Sequence, residues 1–183
     1  MWVTSEPQTL DEIRDWHRNI VDTLVERRAS IQQALRHNLA VASRFVGLTE
    51  GEVDALYDAD RRELDRLTVL NLVASAEGTL RRDYSRRVDK KLKDPLSLAF
   101  RKWHKSLSKK KQQRPDFDEG GILDVLKKTQ LIDNHIVGRF RECLPARHWV
   151  GHGRYWDKPH AVDRFDPVDV YDRAFALLRA MPP

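Results

Sequence analysis

The sequence predicts an all-α protein, a helical bundle of about five to seven helices. Apolar residues recur at spacings of three, four and seven along most of the chain, and no segment alternates with period two over a convincing length. Eight Gly and eight Pro in 183 residues are also too few for an all-β chain with many tight turns. We assign residues 1–48 to an N-terminal helical segment and 49–183 to a helical domain, together about one domain in size.

Polar capping residues and prolines predict where these helices begin and end. The first is expected to run from a capping box at Thr9 to Gly47, and the second from a capping box at Thr49 to the Asp94-Pro95 pair, since residues before proline avoid helix. A third helix follows Pro95, and KKKQQRPDFDEGG is interpreted as a non-periodic, mobile loop. The remaining predicted helices are Ile122–Leu131, Asn134–Leu144, one that starts at Pro145 and carries ARHWVGH, and one from Asp166-Pro167 to about Arg179.

Charge is concentrated in one part of the chain. Residues 81–114 contain 14 Lys or Arg and three Asp, a net charge of +11, whereas the whole chain carries +5, so the remainder sums to −6. Such a basic segment favours a polyanionic partner, RNA or DNA above all, and Trp103 and His104 offer stacking surfaces within it. The alternative is a solvated helix face that only aids solubility.

The sequence also predicts a cytoplasmic protein that does not cross a membrane. No apolar run approaches the roughly 18 residues that span a bilayer, and the N-terminus lacks the features of a signal peptide. The single cysteine, Cys143, fits a reducing compartment and is expected to be a small buried apolar residue.

Reactive side chains are concentrated in ARHWVGHGRYWDKPH. On a helix His148 and His152 share a face, while Arg147 is offset from His152 by about 140° and borders that face. A permanent cation beside imidazoles suits a phosphate, because arginine pairs with phosphate oxygens and histidine exchanges protons near neutral pH.

This motif resembles that of the HEPN superfamily of helical, RNA-acting domains, in which Arg is followed after four to six residues by His. RHWVGH fits that pattern with His148 in the polar position after the Arg, and HGRYW is similar too. LNLVASAEGTLRRDYSRR resembles the earlier core helix of several such families, which implies that Glu77 and Arg81 face the motif as auxiliary residues. The likeness covers about residues 64–180.

The resemblance implies a metal-independent endoribonuclease without a cofactor, which leaves a 2′,3′-cyclic phosphate and a 5′-OH end. Arg147 and His152 would be catalytic, with Arg147 stabilising the phosphorane and His152 acting as general base or acid. His148 would hold the arginine or transfer the second proton. The candidate RNA-binding residues are Arg82, Arg154 and Tyr155, whereas packing is the expected role of Trp149.

Partners follow from the same resemblance. HEPN domains typically form homodimers in which two motifs face each other, and many act as toxins paired with an antitoxin or in defence against phage. In one subgroup a tyrosine two residues after the His is modified by the antitoxin. Here Tyr155 lies three residues after His152, so that mode of regulation is not carried over.

Three alternatives remain open at the level of sequence. His148 and His152 have the spacing of a two-His zinc face, with His160 or Asp157 as further ligands, although the adjacent Arg147 would repel a metal. The domain is alternatively a catalytically silent module that binds nucleic acid or another protein. In the third alternative, Arg147 and His152 have a purely structural role and only cap a helix or pair with other side chains of the bundle.

Overall fold

The computed structural model describes residues 8–154 and 156–183, and every regular element in these ranges is helical. Helix α2 lies at the centre and contacts α1, α3, α5, α7 and α9. The elements are α1 (Leu10–Arg36), a 3-10 turn (Ser43–Phe45), α2 (Glu50–Asp89), α3 (Pro95–Ser106), α4 (Lys109–Gln113), α5 (Ile122–Thr129), α6 (Asn134–Arg141), α7 (Leu144–Gly151), α8 (Ala161–Arg164) and α9 (Pro167–Arg179).

The all-α prediction is confirmed. Helices α1, α2, α3, α5, α6, α7 and α9 occupy the segments in which the apolar periodicity predicts them, and α4 and α8 are additional helices of five and four residues. Helix α2 nevertheless ends at Asp89, before the predicted Asp94-Pro95 pair, because Lys91 adopts a left-handed conformation with φ of 51°. Thr9 and Thr49 both form the expected capping boxes with the glutamates three residues later. Asp94 and Asp166 cap α3 and α9, each of which has proline in its first turn.

The predicted end of the first helix is wrong. Helix α1 ends at Arg36 rather than at Gly47, because Asn38 adopts a left-handed conformation with φ of 53°. The Leu39 N–H donates to the Ala34 carbonyl at 2.8 Å and the Asn38 N–H to the Leu35 carbonyl, which is the Schellman arrangement that closes a helix. Apolar residues beyond this point continue the periodicity without continuing the helix.

The segment KKKQQRPDFDEGG is more structured than expected. Its first five residues form α4, capped by Ser108, and Phe117 is buried against Phe140 in an edge-to-face contact. Gly121 is required where the segment enters α5, since a Cβ there would lie 2.4 Å from the Asp116 carbonyl oxygen. We refer to residues 115–121 as the α4–α5 loop.

Two apolar clusters lie along α2. The larger one gathers residues from α2, α3, α5, α6, α7 and α9 and from the start of α1, where Leu10 and Ile13 belong to it. The smaller one contains Phe45, Val53 and Tyr57, with α1 side chains packed around them. Within the described residues, no helix is long and apolar enough to cross a membrane.

Candidate functional site

Helix α7 carries the RHWVGH motif and ends within it. Arg147 and His148 are helical, whereas His152 is the C-cap residue and its N–H donates to the His148 carbonyl at 3.0 Å. The prediction that the helix includes His152 is therefore corrected by one residue.

A Schellman motif closes α7 at this point. Gly153 has φ of 83°, and the Arg154 N–H donates to the Trp149 carbonyl at 3.1 Å. The glycine after the motif thus fixes the direction of the chain where His152 leaves the helix.

Glu77 of α2 joins two arginines of the candidate site. One carboxylate oxygen accepts a hydrogen bond from Arg81 Nε at 2.8 Å, and the other pairs with an Arg147 Nη at 3.1 Å. The Glu77 side chain is only 13% exposed, whereas Arg147 retains 28% of its exposure. The α2 and α7 residues that the resemblance brings together are thus in contact, with Glu77 as the shared anion.

The α4–α5 loop forms a further wall of the site. Arg81 donates to the Pro115 carbonyl at 2.7 Å and lies over the Phe117 ring, with its guanidinium carbon 5.3 Å from the ring centroid. Asp118 pairs with Arg141 of α6 at 2.6 Å, and Arg141 also donates to Asp124 at 2.6 Å. The loop is thereby tied to both α2 and α6.

The two histidines of the motif stack on one another. Their ring centroids lie 5.9 Å apart with an interplanar angle of 7°, and Trp156 lies against His152 at 6.2 Å. Desolvation, and then the positive charge of Arg147 and the charge of His152, hold the pKa of His148 below its usual value, against the opposing effect of Glu77 and Asp118. His148 is consequently biased towards the neutral imidazole near pH 7.

The three predicted RNA-binding residues differ in exposure and in the partners they contact. Arg82 is exposed on α2 and donates one hydrogen bond, to the Thr79 hydroxyl at 3.4 Å. Arg154 forms a two-pronged ion pair with Glu63, at 2.8 and 2.5 Å, so its charge is already balanced. Tyr155 lies outside the described residues. The assignment of all three to RNA binding stays a prediction.

Trp149 and Cys143 are packing residues, as expected. The Trp149 indole is 8% exposed, and its N–H donates to the Trp156 carbonyl at 3.0 Å. Cys143 is buried, and that burial raises the pKa of its thiol to about 12, which removes it as a nucleophile near neutral pH.

The donor set for a metal is not assembled. No group of three or more His, Cys, Asp or Glu side chains in residues 8–154 and 156–183 is arranged to hold a metal ion. His160 and Asp157, the further ligands of the zinc alternative, therefore do not complete a site with His148 and His152.

The basic segment is partly internal. Arg87 is fully buried and pairs with Asp83 and Asp94 at 2.6 and 2.9 Å, and it donates to the Pro182 carbonyl. This arginine joins α2 to the α3 cap and to the end of the chain. The lysines of α3 and α4 are exposed, as are Lys90, Lys91 and Lys93, so the exposed charge of the basic segment lies on α3, on α4 and at the end of α2.

Sequence reasoning missed two contributors to the site. Asp118 and Arg141 come from a segment interpreted as a loop and from a helix with no distinctive motif, and no sequence signal joins them. Gly153 was noted only as part of HGRYW, and its role in ending α7 was signalled by a glycine directly after a helix.

Comparison with known proteins adds no family. No family model matches the chain, and neither a curated protein nor a solved structure matches it. The HEPN resemblance consequently stays a prediction based on the residues quoted for it.

Proposed function

We propose that the protein is a metal-independent endoribonuclease whose site is formed by Arg147, His148 and His152. The observation that carries this proposal is the Glu77 carboxylate, which holds Arg147 beside two stacked imidazoles at the surface end of α7. A guanidinium fixed in this way presents positive charge to a phosphate without having to be ordered when substrate binds.

The proposed chemistry is transfer of a phosphodiester to the neighbouring 2′-hydroxyl. A base removes the 2′-OH proton, the 2′ oxygen attacks phosphorus, and the 5′ oxygen leaves with a proton from an acid. The products are a 2′,3′-cyclic phosphate and a 5′-OH end. Arg147 stabilises the charge of the phosphorane.

His148 and His152 are the two proton-transfer groups of this scheme. The lowered pKa of His148 favours its neutral form, which accepts a proton, so we assign His148 as base and His152 as acid. In-line attack places the entering and leaving oxygens on opposite sides of phosphorus, and two rings 5.9 Å apart are suited to serve one oxygen each.

The test is cleavage of end-labelled RNA by the purified wild type and by R147A and H152A. The wild type should cleave in the presence of EDTA and leave cyclic-phosphate and 5′-OH ends, and each variant should be at least about 100-fold slower. H135A is the matched control, because His135 is an exposed histidine of α6 and should leave the rate unchanged. Wild-type rates in both site variants, or 3′-OH products, would overturn the proposal.

A silent nucleic-acid-binding module is the second candidate. It is favoured by the exposed lysines of α3 and α4, which provide charge for a polyanion whether or not the α7 site is active. RNA binding that depends on salt but is accompanied by no cleavage in the same assay would select this function.

The biological setting is proposed with the activity. We expect a homodimer in which two α7 sites face each other across a two-fold axis, and an antitoxin partner in a toxin–antitoxin or phage-defence system. Analytical ultracentrifugation tests the dimer. Growth arrest on induction, abolished by R147A, tests the toxicity.

A further inference from the structure

We propose that the groove between α3 and α5 is a second subsite of the RNA, which binds one nucleotide of a single strand away from the scissile bond. This inference rests on the proposed function for its substrate class, and it adds where the strand runs. The groove has a volume of about 490 Å³, within the usual range of small-ligand sites. Its lining includes Lys102, Trp103, Gly120, Asp124 and Lys128.

Trp103 provides the stacking surface. The indole lines the groove, is partly exposed, and packs against the main core. Tyr84 contacts it edge-on at a centroid distance of 5.5 Å, which fixes the indole before any ligand arrives. A rigid aromatic surface of this kind stacks any base, because every base has a π-face.

Two lysines provide the charge for a phosphate. Lys102 of α3 and Lys128 of α5 both line the groove and are exposed, and neither forms an ion pair with any residue that the structure describes. The one carboxylate in the lining, Asp124, is already bonded to Arg141 at 2.6 Å and to the Gly120 N–H at 2.8 Å. The net charge that faces a ligand is therefore positive, which favours a nucleotide over an uncharged apolar partner.

The groove adjoins the α7 site through the α4–α5 loop. Gly120 lines the groove, and Asp118, two residues earlier, acts on the charge state of His148. Arg141 pairs with both Asp118 and Asp124, so one guanidinium joins the two sides. Pro115 of the same loop accepts a hydrogen bond from Arg81, whose partner Glu77 also holds Arg147, so this one loop borders both the groove and the α7 site.

The experiment uses an RNA oligonucleotide that is 2′-O-methylated throughout, so that it cannot be cleaved, with 5-iodouridine at successive positions. Irradiation of the complex with wild-type protein should crosslink one position to Trp103, identified by mass spectrometry. The K102E/K128E variant should bind the same RNA at least about tenfold more weakly. Its plot of log affinity against log salt should be flatter by about 1.4, the value for two lost contacts to a single strand.

The control is K109E/K110E, which makes the same change in charge on α4, outside the groove lining. It should retain the Trp103 crosslink and lose less affinity, and far-UV circular dichroism should show both variants folded. Equal losses in the two variants, or no crosslink at Trp103, would overturn the subsite. So would competition by an acidic peptide for Lys102 and Lys128 without any RNA crosslink, which would mark a protein-docking groove.

The two proposals fail in distinguishable ways. Cleavage without the Trp103 crosslink removes the subsite and leaves the ribonuclease. A crosslink and a charge-dependent affinity without cleavage support the groove as an RNA-binding site and remove the ribonuclease.

Discussion

Replacing Glu77 with glutamine tests whether one carboxylate holds both arginines of the site. The side chain is 13% exposed and receives Arg81 at 2.8 Å and Arg147 at 3.1 Å. The amide keeps one oxygen acceptor, so the change removes about one charge-assisted hydrogen bond, for which ~1.5–3 kcal/mol is typical. Arg81 and Arg147 are 36% and 28% exposed, so solvent screens the remaining Coulomb attraction between Glu77 and the two arginines. We expect the free energy of unfolding to fall by about 2 kcal/mol.

Thermal and urea unfolding measure this loss. For a domain of this size about 2 kcal/mol corresponds to a fall in Tm of about 4–8 °C. Glu63→Gln is the control, because Glu63 also binds an arginine through both oxygens, at Arg154, but its side chain is 41% exposed. The control should lose at most about 1 kcal/mol. Equal losses in the two variants would refute the central role of Glu77.

A second measurement on the same variant follows the pKa of His148. Glu77 raises the pKa of His148, so Glu77→Gln should lower that pKa further, as followed by NMR titration of the imidazole C–H signals. An unchanged or higher pKa would show that the carboxylate does not act on the histidine. Under the proposed function, the misplaced Arg147 should also slow cleavage by about 100-fold.

Three further predictions concern stability. His148 has a folded-state pKa below its usual value of 6.5, so the unfolded chain binds the proton more readily than the folded one. The free energy of unfolding should therefore fall as the pH drops below about 6.5, and it should fall less in His148→Gln than in wild type when both are unfolded with urea across that pH range. Gly153→Ala should lower the free energy of unfolding by about 1–2 kcal/mol, because Gly153 has φ of 83°. Its control, Gly138→Ala, places a Cβ in open space on helix α6 and should be neutral or stabilising by up to ~1 kcal/mol in the same unfolding assay. Arg87→Met should lose about 3 kcal/mol, because Asp94 would lose its arginine partner while Asp83 would keep only Arg86. Arg86→Met, 49% exposed in its ion pair, should lose less than ~1 kcal/mol in calorimetry.

Local signals account for what the sequence predicted well. Capping by Thr9, Thr49 and Asp166 depends on residues within one turn, so each helix start is readable from a few letters. Ends are harder, because Asn38 and Lys91 take the left-handed position that glycine usually occupies. Such residues adopt that conformation only when the surrounding structure stabilises it, and composition does not indicate this.

The candidate site also combines residues that local sequence predicts with contacts that it does not predict. The motif of α7 is contiguous and was readable, whereas the Glu77–Arg147 contact joins residues 70 positions apart and depends on the rotation of two helices about their axes. It was expected only through the family resemblance. Asp118 and Arg141 are brought to the site by packing of the α4–α5 loop around Phe117. No local pattern encodes that packing, so the sequence predicts only a mobile loop there.

The length of α2 has a consequence for how the molecule opens. Forty residues extend about 60 Å, and the helix passes from the small cluster at Val53 and Tyr57 to the main core that surrounds Leu72 and Leu80. Fewer buried side chains hold the first part than the second, so its amide protons should exchange with solvent sooner, with protection rising along the helix towards Glu77. The tip formed by the end of α1 and the start of α2 is thus able to fray, or to be clipped by a protease, while the ion-paired end of the same helix stays closed.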